Sequence, residues 1–269
     1  MSSPEKLTEA LRRVRERSPR IHCLTNPVTM QDVANILLAC GGSAIMAQDP
    51  EEAEEITAEC HGTLLNTGVP DREKFLACVR AGRKANELGH PVILDPVGVG
   101  ASRFRRDGLR ELLSQVNPSL IRCNQGEACT LLHLQRGVAE GVESGITLDM
   151  DGRKKVAEEL ARAYSCTVLV SGNQDVVSDG ERTESISGGD RRIARITGGG
   201  CMLSALCAMF ASAGTAAYEA AREAGRIWKE SSEAAGQHID AAKEGMGSFH
   251  QYLFDEADRI CRGEEIQTE

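Results

Sequence analysis

Short apolar segments alternate with longer helical patterns along most of the chain, and this rhythm limits the fold more than any other feature. Residues 91–95 are the clearest strand, because they stay apolar up to a final aspartate, as a strand covered on both faces should. Strand–helix alternation of this length is typical of a mostly parallel sheet with helices on both faces. We therefore predict a three-layer α/β/α fold, formed by a single domain over residues 1–269.

The individual elements are predicted from the same rhythm. Strands are predicted at residues 21–25, 44–47, 63–66, 91–95, 120–123 and 167–170. Helices are predicted at residues 31–40, from residue 49 onward, and at residues 72–88, 106–116 and 154–163. The rhythm changes after residue 175, where residues 176–180 and 192–196 indicate antiparallel strands joined by turns. Beyond residue 198 the pattern is helical.

Composition excludes several classes of function. The net charge is -9 and aromatic residues make up 3% of the chain, whereas nucleic-acid binding needs basic surfaces and stacking platforms. No segment approaches the roughly 20 apolar residues that span a bilayer, and residues 1–20 lack the apolar stretch of a signal peptide. We expect a cytoplasmic protein that binds neither nucleic acid nor membrane. Its ten cysteines form no Cys-x-x-Cys pair, so we expect buried free thiols.

The sequence Thr-Gly-Gly-Gly-Cys at residues 197–201 is the first candidate for chemistry. Ligands of parallel sheets bind beyond the carboxyl ends of the strands. Three glycines followed at once by an apolar helix let backbone N–H groups converge on an anion. A plain glycine-rich loop before a buried helix fits the pattern equally well. The segment is not a Walker A loop, since no Gly-Lys-Ser/Thr follows it.

Polar side chains follow several other predicted strands. Asn124 and Glu127 share one face of a helix start, where they could hold the water shell of Mg²⁺ or form a capping box. Asp95 ends the most apolar strand, and lies either near a metal and phosphates or in a tight turn where it accepts backbone N–H groups. Ser171 begins a glycine-rich strand end that could lie under a nucleotide or simply turn. Arg122 could contact a phosphate or form a surface salt bridge.

Taken in order, these motifs resemble the ribokinase-like superfamily and, within it, the hydroxyethylthiazole kinase family. The resemblance covers about residues 21–255. The segments that carry it are TNPVT at 25–29 with Ala34-Asn35, AIMA at 44–47, DPVGVGA at 95–101, RCNQGE at 122–127, TGGGCMLSA at 197–205 and GMGSF at 245–249. The runs at 95–101 and 197–201 are specific when they occur together, whereas Asn-x-x-Glu is shared across the superfamily.

The resemblance implies an ATP- and Mg²⁺-dependent kinase of 4-methyl-5-(2-hydroxyethyl)thiazole in thiamine biosynthesis or salvage, without a separate lid domain. It also implies a homotrimer with active sites between subunits. The residues that it assigns are Cys201, Gly198, Gly199 and Gly200 for catalysis; Arg122, Asn124, Ser171 and Thr197 for the nucleotide; Asn26, Val28, Met46 and Gly198 for the thiazole alcohol; and Asp95 and Glu127 for Mg²⁺.

Cys201 stands where most of the superfamily carries an aspartate that acts as the base. A thiol of pKa about 8.5 is a weak substitute, although a helix N-terminus can lower that value. Since phosphoryl transfer depends mainly on positioning and charge neutralisation, we expect Cys201 to position the alcohol more than to deprotonate it. The chain also departs from the family at Gly199, where Ala or Thr is more frequent, at Ser171, where Thr is, and at Gln125-Gly126, where Ala-Ser is.

Two other functions stay open. A kinase of the same fold could act on another small alcohol, such as hydroxymethylpyrimidine, although Cys201 and the run at 95–101 favour the thiazole. A non-catalytic thiazole-binding protein could keep this fold without the base. The presence of Asn124, Glu127 and the three glycines counts against that alternative.

Overall fold

The structure, a computed structural model, describes residues 3–136 and 148–263 of the chain. These residues form one eight-stranded sheet, with strands β1 (Arg20–Leu24), β2 (Ser43–Ile45), β3 (Gly62–Asn66), β4 (Val92–Asp95), β5 (Leu120–Asn124), β6 (Thr167–Ser171), β7 (Asp175–Ser178) and β8 (Thr183–Ile186). The order across the sheet is β2-β1-β3-β4-β5-β6-β7-β8. Pairing is parallel from β2 to β6, and β7 and β8 add an antiparallel edge.

Helices cover both faces of this sheet. They are α1 (Ser3–Arg17), α2 (Met30–Ala39), α3 (Ala53–Ala58), α4 (Arg72–Leu88), α5 (Arg103–Gln115), α6 (Gln125–Gln135), α7 (Met150–Tyr164), α8 (Gly199–Ser212), α9 (Ala217–Ala242) and α10 (Met246–Arg262). Buried residues of α1, α2, α8, α9 and α10 form one apolar core, and those of α3 to α7 form a second. Successive strand residues such as Leu64 and Leu65 enter opposite cores. The predicted three-layer α/β/α architecture is confirmed.

Helix α8, which begins near the ends of the strands, is almost completely buried. All of its residues except Gly200 are buried, because it packs against β1, β3 and β4 and also against α2 and α9. A helix that is apolar all round belongs in a core. This packing fixes the start of α8, and with it the glycine turn, beside the carboxyl ends of the parallel strands.

Element boundaries follow the local end signals. Helix α4 has the predicted bounds, because Asp71 caps its first turn by accepting the N–H of Lys74 and Gly89 ends it with a left-handed φ of 68°. Helix α3 begins later than predicted. The Asp49 side chain accepts the N–H of Glu51 at 2.8 Å, and this local turn delays the helix until Ala53.

The predicted strand at residues 192–196 is wrong. The antiparallel pair is completed earlier, because a tight turn at residues 179–182 leads straight into β8. Residues Arg191–Arg195 form a 3-10 helix instead. Asp190 caps it by accepting the N–H of Arg192, and the Arg192 guanidinium is held by both Asp190 and Asp240 at 2.6–2.9 Å. The Asp190 pair is local, whereas the Asp240 pair comes from tertiary structure. Together they outweigh the β-like local pattern.

The cysteines are free thiols, as predicted. Nine of the ten are buried and Cys129 is half-buried. Among the residues that the structure describes, no helix is both long enough and apolar enough to cross a membrane.

Candidate active site

The turn before α8 consists of glycines for steric reasons. Gly198 has a φ of +85°, in the left-handed region, and a Cβ atom there would lie 2.8 Å from Thr29 Cγ2. A Cβ atom on Gly200 would overlap the guanidinium of Arg122. The first-turn N–H groups of a helix have no intrahelical partner, and no side chain among the described residues caps those of α8. The geometry of an anion site is therefore present at this turn.

A cavity of about 630 Å³ lies beside the glycine turn, within the size range of small-ligand sites. The predicted site residues in its wall are Arg122, Asn124, Glu127, Ser171, Gly198, Gly199, Gly200 and Cys201. The wall also contains two further cationic residues, Arg191 and Lys229, and apolar side chains that include Val97, Ile193, Leu203 and Trp228. The cavity thus joins an apolar part to groups that attract negative charge.

Arg122 lies in β5 and is buried, with its side chain 11% exposed. It donates to Ser171 Oγ, and its Nη1 lies 3.6 Å from Asp95 Oδ1. Burial opposes the charged form, but the carboxylates of Asp95 and Glu127 outweigh this and raise the pKa of Arg122. The alternative of a surface salt bridge is therefore wrong. Arg122 is a buried cation that faces the cavity.

Asn124 and Glu127 form the capping box that was one of the two alternatives for them. Asn124 Oδ1 accepts the N–H of Glu127 at 2.9 Å, and Glu127 Oε2 accepts the N–H of Asn124 at 2.9 Å. Glu127 Oε1 accepts in addition the N–H of Gly98 at 2.9 Å. The Glu127 carboxylate therefore joins the loop after β4 to the end of β5, while still facing the cavity.

Asp95 lies behind the cavity wall rather than in it, and is fully buried. Its Oδ2 accepts from Asn66 Nδ2 at 2.8 Å and from Ser204 Oγ at 2.9 Å, so side chains rather than a tight turn satisfy this oxygen. Oδ1 is buried and has no hydrogen-bond partner in the part of the chain that the structure describes. Burial raises the pKa of Asp95 to about 6, with Arg122 opposing and Glu127 adding to the rise.

Cys201 is at the junction between the cavity and the amide groups that follow β1 and β3. Its Sγ accepts from Asn66 Nδ2 at 3.1 Å, and Asn26 Nδ2 lies 3.7 Å away. Burial, and then the Asp95 carboxylate, raises the pKa of the thiol, which the nearby Asn66 and Arg122 offset only in part. The helix N-terminus does not make Cys201 an acidic thiol. The raised pKa of the Cys201 thiol agrees with a positioning role.

The residues predicted to bind the acceptor lie on the other side of the glycine turn. Val28 is 63% exposed, Met46 is half-buried against the core, and Asn26 is buried beside Cys201. None of the three lines the cavity. Thr197 is exposed and does not line it either. The structure thus divides the predicted residues between a cavity and an adjoining loop region, which meet at Cys201.

A buried lysine connects the loops that follow β1 and β3. Lys74 Nζ donates to the carbonyl oxygens of Thr25 and Gly68, both at 2.7 Å. Only 5% of the residue is exposed, and burial lowers its pKa. Asn26 lies in the first loop and Asn66 directly precedes the second, so Lys74 helps to fix the relative position of these two amides.

Sequence reasoning missed further residues at the site. Lys229 donates to the carbonyl oxygens of Gly172 and Asn173 at 2.7 and 3.0 Å and lies 3.2 Å from Asp175 Oδ1. Asn66 was placed at a strand end without a role. The rule that ligands gather at the carboxyl ends of strands, applied to β3 as well, would have found Asn66. Lys229 lies in the middle of α9 and has no comparable local signal.

The raised pKa of Asp95 predicts a pH dependence of stability in metal-free protein. Because the native pKa of about 6 exceeds the ordinary 3.8, the native state holds this proton more tightly than the unfolded state. The stabilisation is complete below about pH 4 and is lost as the pH rises through 6. The free energy of unfolding of the wild type, relative to Asp95→Asn, should therefore fall by up to about 3 kcal/mol between pH 4 and 7.

Urea denaturation of both proteins in EDTA, at intervals across that range, measures this difference. A difference that stays constant, or that grows with pH, would contradict a proton held on Asp95.

Comparison with known proteins identifies the family of the chain. The model of the hydroxyethylthiazole kinase family matches residues 11–262. The chain is 37% identical over 255 residues to the hydroxyethylthiazole kinase of Alkaliphilus oremlandii, covering 95% of this chain and 93% of that one. The solved structure of a hydroxyethylthiazole kinase from Pyrococcus horikoshii superimposes with a TM-score of 0.83 at 36% identity, over 95% of this chain and 94% of that chain.

A more distant structure shows the fold alone. A ribokinase-like superfamily protein from Enterococcus faecalis superimposes with a TM-score of 0.62 at 11% identity, over 91% of this chain and 88% of that chain. The predicted ribokinase-like fold is therefore confirmed. With the family model matching nearly the whole described chain and a relative of more than one-third identity, the chain belongs to the hydroxyethylthiazole kinase family.

Proposed function

We propose that the chain transfers the γ-phosphoryl group of ATP to the hydroxyl of 4-methyl-5-(2-hydroxyethyl)thiazole, with Mg²⁺, in thiamine biosynthesis or salvage. Membership of the family supports this activity. One observation carries it: Cys201 ends the glycine turn, lines the cavity, and lies beside the amides of Asn26 and Asn66 on the opposite side. A group that faces both regions is where a phosphoryl donor and an alcohol would meet.

The nucleotide would occupy the cavity, with its phosphates at the N-terminus of α8. Arg122 and the uncapped N–H groups supply positive charge there, and Trp228 and Ile193 supply apolar surface for the base. We assign Ser171 and Asn124 to the nucleotide because both line the cavity. The assignment of Thr197 rests on the family resemblance alone.

Asp95 and Glu127 fit the requirements of Mg²⁺. Asp95 Oδ1, just behind the cavity wall, lies 3.6 Å from Arg122 Nη1 and has no hydrogen-bond partner among the described residues. Each Glu127 oxygen accepts one N–H group and so keeps a lone pair for a metal. Mg²⁺ keeps several waters and needs few protein carboxylates. When bound, the ion neutralises charge on the transferring phosphates.

The acceptor would approach from the region of Asn26, Val28, Met46 and Gly198. The protein's part in the transfer is then chiefly to orient two reactants and to stabilise charge. The first-turn N–H groups of α8, together with Arg122, stabilise the negative charge of the phosphoryl group. Cys201 holds the alcohol oxygen in line with it, since a thiol of raised pKa is a poor base.

We also propose that the protein is a homotrimer whose subunits complete the acceptor region. Val28 and Val69 are 63% and 53% exposed, and they lie in the loops that Lys74 connects. Val69 has a φ of +47°, which is rare for a β-branched residue and indicates a constrained functional segment. A neighbouring subunit would cover these side chains.

The described strands form one sheet, and the proposed site residues lie on or next to it. This arrangement supports the prediction of a single domain.

Sedimentation velocity should therefore give a mass of three times the 29.0 kDa chain mass. The double variant Val28→Glu/Val69→Glu should dissociate the trimer, because each substitution places a carboxylate against a desolvated surface of the neighbouring subunit. Leu88→Glu is the matched control, since Leu88 is 43% exposed at the end of α4, away from the glycine turn. A monomeric wild type, or equal dissociation by the control, would refute this interface.

The activity is tested by incubating the protein with Mg-ATP and a panel of alcohols and measuring ADP release. The thiazole alcohol should give the highest kcat/KM, above hydroxymethylpyrimidine and pyridoxal. Fluorescence of Trp228, the only tryptophan in the chain, should report nucleotide binding independently, because it lines the cavity. Preference for another alcohol would identify a different kinase. Tight thiazole binding without any ADP release would identify a binding protein.

A further inference from the structure

Asn66 has every hydrogen-bonding position of its side chain in use. It is fully buried at the end of β3. Its Nδ2 donates to Asp95 Oδ2 at 2.8 Å and to Cys201 Sγ at 3.1 Å. Its Oδ1 accepts from the N–H of Gly68 at 3.0 Å and from Asn26 Nδ2 at 3.1 Å. An amide has two donor hydrogens and two acceptor lone pairs, so this network leaves the Asn66 side chain no alternative orientation.

The sheet register places Asn66 where it can bridge these groups. Asn66 in β3 is paired with Asp95 in β4, and paired residues present their side chains on the same face of a sheet. Helix α8 packs on both strands and brings Cys201 and Ser204 to that face. Asn66 is the side chain that contacts both the buried carboxylate and the thiol.

Other groups near Cys201 do not hold the sulfur in the same way. The Thr29 hydroxyl lies near the thiol and lowers its pKa, but its Oγ1 makes no hydrogen bond of ordinary geometry among the described residues. Asn26 Nδ2 is 3.7 Å from Sγ and donates to Asn66 at 3.1 Å, so it acts mainly on Asn66. The charged side chains around the thiol are Asp95, Arg122 and Lys74. Lys74 holds the carbonyl of Gly68, whose N–H donates to Asn66. The orientation of Cys201 thus depends on Asn66, which is itself held from three directions.

We propose that Asn66 is a positioning residue for phosphoryl transfer, which holds the Cys201 sulfur at the junction of the nucleotide cavity and the acceptor hydroxyl. This inference rests on the proposed function. Asn66 does not line the cavity and acts through Cys201. Its loss frees the sulfur to rotate away from the alcohol. Asp95 Oδ2 also loses one hydrogen bond but keeps that from Ser204, and the side chains that line the nucleotide cavity remain in place.

A double-mutant cycle with thiazole alcohol as acceptor tests this. Asn66→Ala should lower kcat at least about 10-fold in the wild-type background, since small misplacements of reacting groups are costly. It should change the KM for ATP less than about twofold. Cys201→Ala should retain measurable turnover, and adding Asn66→Ala to it should lower kcat by less than about twofold, because the group that Asn66 orients is already absent.

The matched control is Asn86→Ala, which also removes an amide bonded to the backbone. Asn86 exchanges hydrogen bonds of 2.9 and 2.8 Å with Asn117, far from the glycine turn, and should change kcat equally little in both backgrounds. If Asn66→Ala does not fold, Asn66→Ser takes its place, because serine keeps a donor but is too short to reach Asp95 and Cys201 together. Thermal melting shows whether Asn66→Ala is folded, and therefore which of the two variants is used.

The outcomes separate the two proposals. An equal fold-loss of kcat from the Asn66 variant in both backgrounds would overturn positioning through Cys201 and leave only a structural role. A rise in the KM for ATP instead of a fall in kcat would also overturn positioning through Cys201. Absence of turnover in the wild type would instead refute the proposed function, and the positioning role with it.

Discussion

Replacing Arg122 by methionine is expected to cost about 3–5 kcal/mol of unfolding free energy and about 100- to 1000-fold in kcat/KM for ATP. The loss of stability follows from burial. The Asp95 carboxylate is fully buried and its nearest cation is the Arg122 guanidinium at 3.6 Å, so removal of Arg122 leaves an uncompensated charge. The loss of activity follows because Arg122 faces the proposed phosphate site. Urea denaturation and steady-state kinetics measure the two effects.

Two control variants make the result specific. Arg122→Lys keeps the charge but lacks the planar fork that reaches both Ser171 and Asp95. It should recover most of the stability and little of the activity. Arg80→Met removes an arginine that donates to the Pro50 carbonyl at 2.8 Å, outside the site, and should leave kcat/KM unchanged. Near-normal stability and kinetics in Arg122→Met would show that this guanidinium has neither role.

Replacing Glu127 by alanine is expected to lower kcat about 100- to 1000-fold, whereas Cys201→Ala retains measurable turnover. Alanine leaves the N–H groups of Gly98 and Asn124 without their acceptors, so the loop after β4 loses its connection to β5. It also removes a carboxylate proposed to hold Mg²⁺. The expected loss is large because both effects occur at the same cavity wall.

Glutamine at this position separates the two effects. Glu127→Gln keeps one acceptor oxygen and the side-chain volume, so it should regain part of the stability in urea. It should need a higher Mg²⁺ concentration for half-maximal rate and for the Trp228 fluorescence change on binding ATP. If the Mg²⁺ requirement equals that of the wild type in both measurements, Glu127 is not a ligand and its role is confined to the two N–H groups.

How far the sequence predicts the site depends on whether a residue carries a local signal. Helix α4 has a capping Asp71 and a terminal Gly89, so both of its ends are readable. The glycine turn and the residues Arg122 in β5 and Glu127 at the start of α6 belong to continuous motifs, and they meet at one cavity. The assignment of their roles in binding ATP and Mg²⁺ stays a proposal.

Residues whose role depends on distant partners escaped prediction. Asn66 meets Cys201 across 135 residues of sequence, through the pairing of β3 with β4 and the packing of α8. The apolar pattern at residues 192–196 predicts a strand. The segment instead forms a 3-10 helix, in which Arg192 makes an ion pair with Asp240 of α9. No local pattern contains these contacts. The assignment of Val28 and Met46 to the thiazole alcohol stays a prediction, because neither lines the cavity.

The buried ammonium of Lys74 has a consequence for the affinity of the proposed acceptor site. Its two short bonds to Thr25 and Gly68 make the loops after β1 and β3 move as one unit. Their conformational entropy is lost when the protein folds, so little remains to be lost when an alcohol binds. A small ligand offers few atoms for favourable contacts. A preorganised receptor lets even those few contacts yield useful binding.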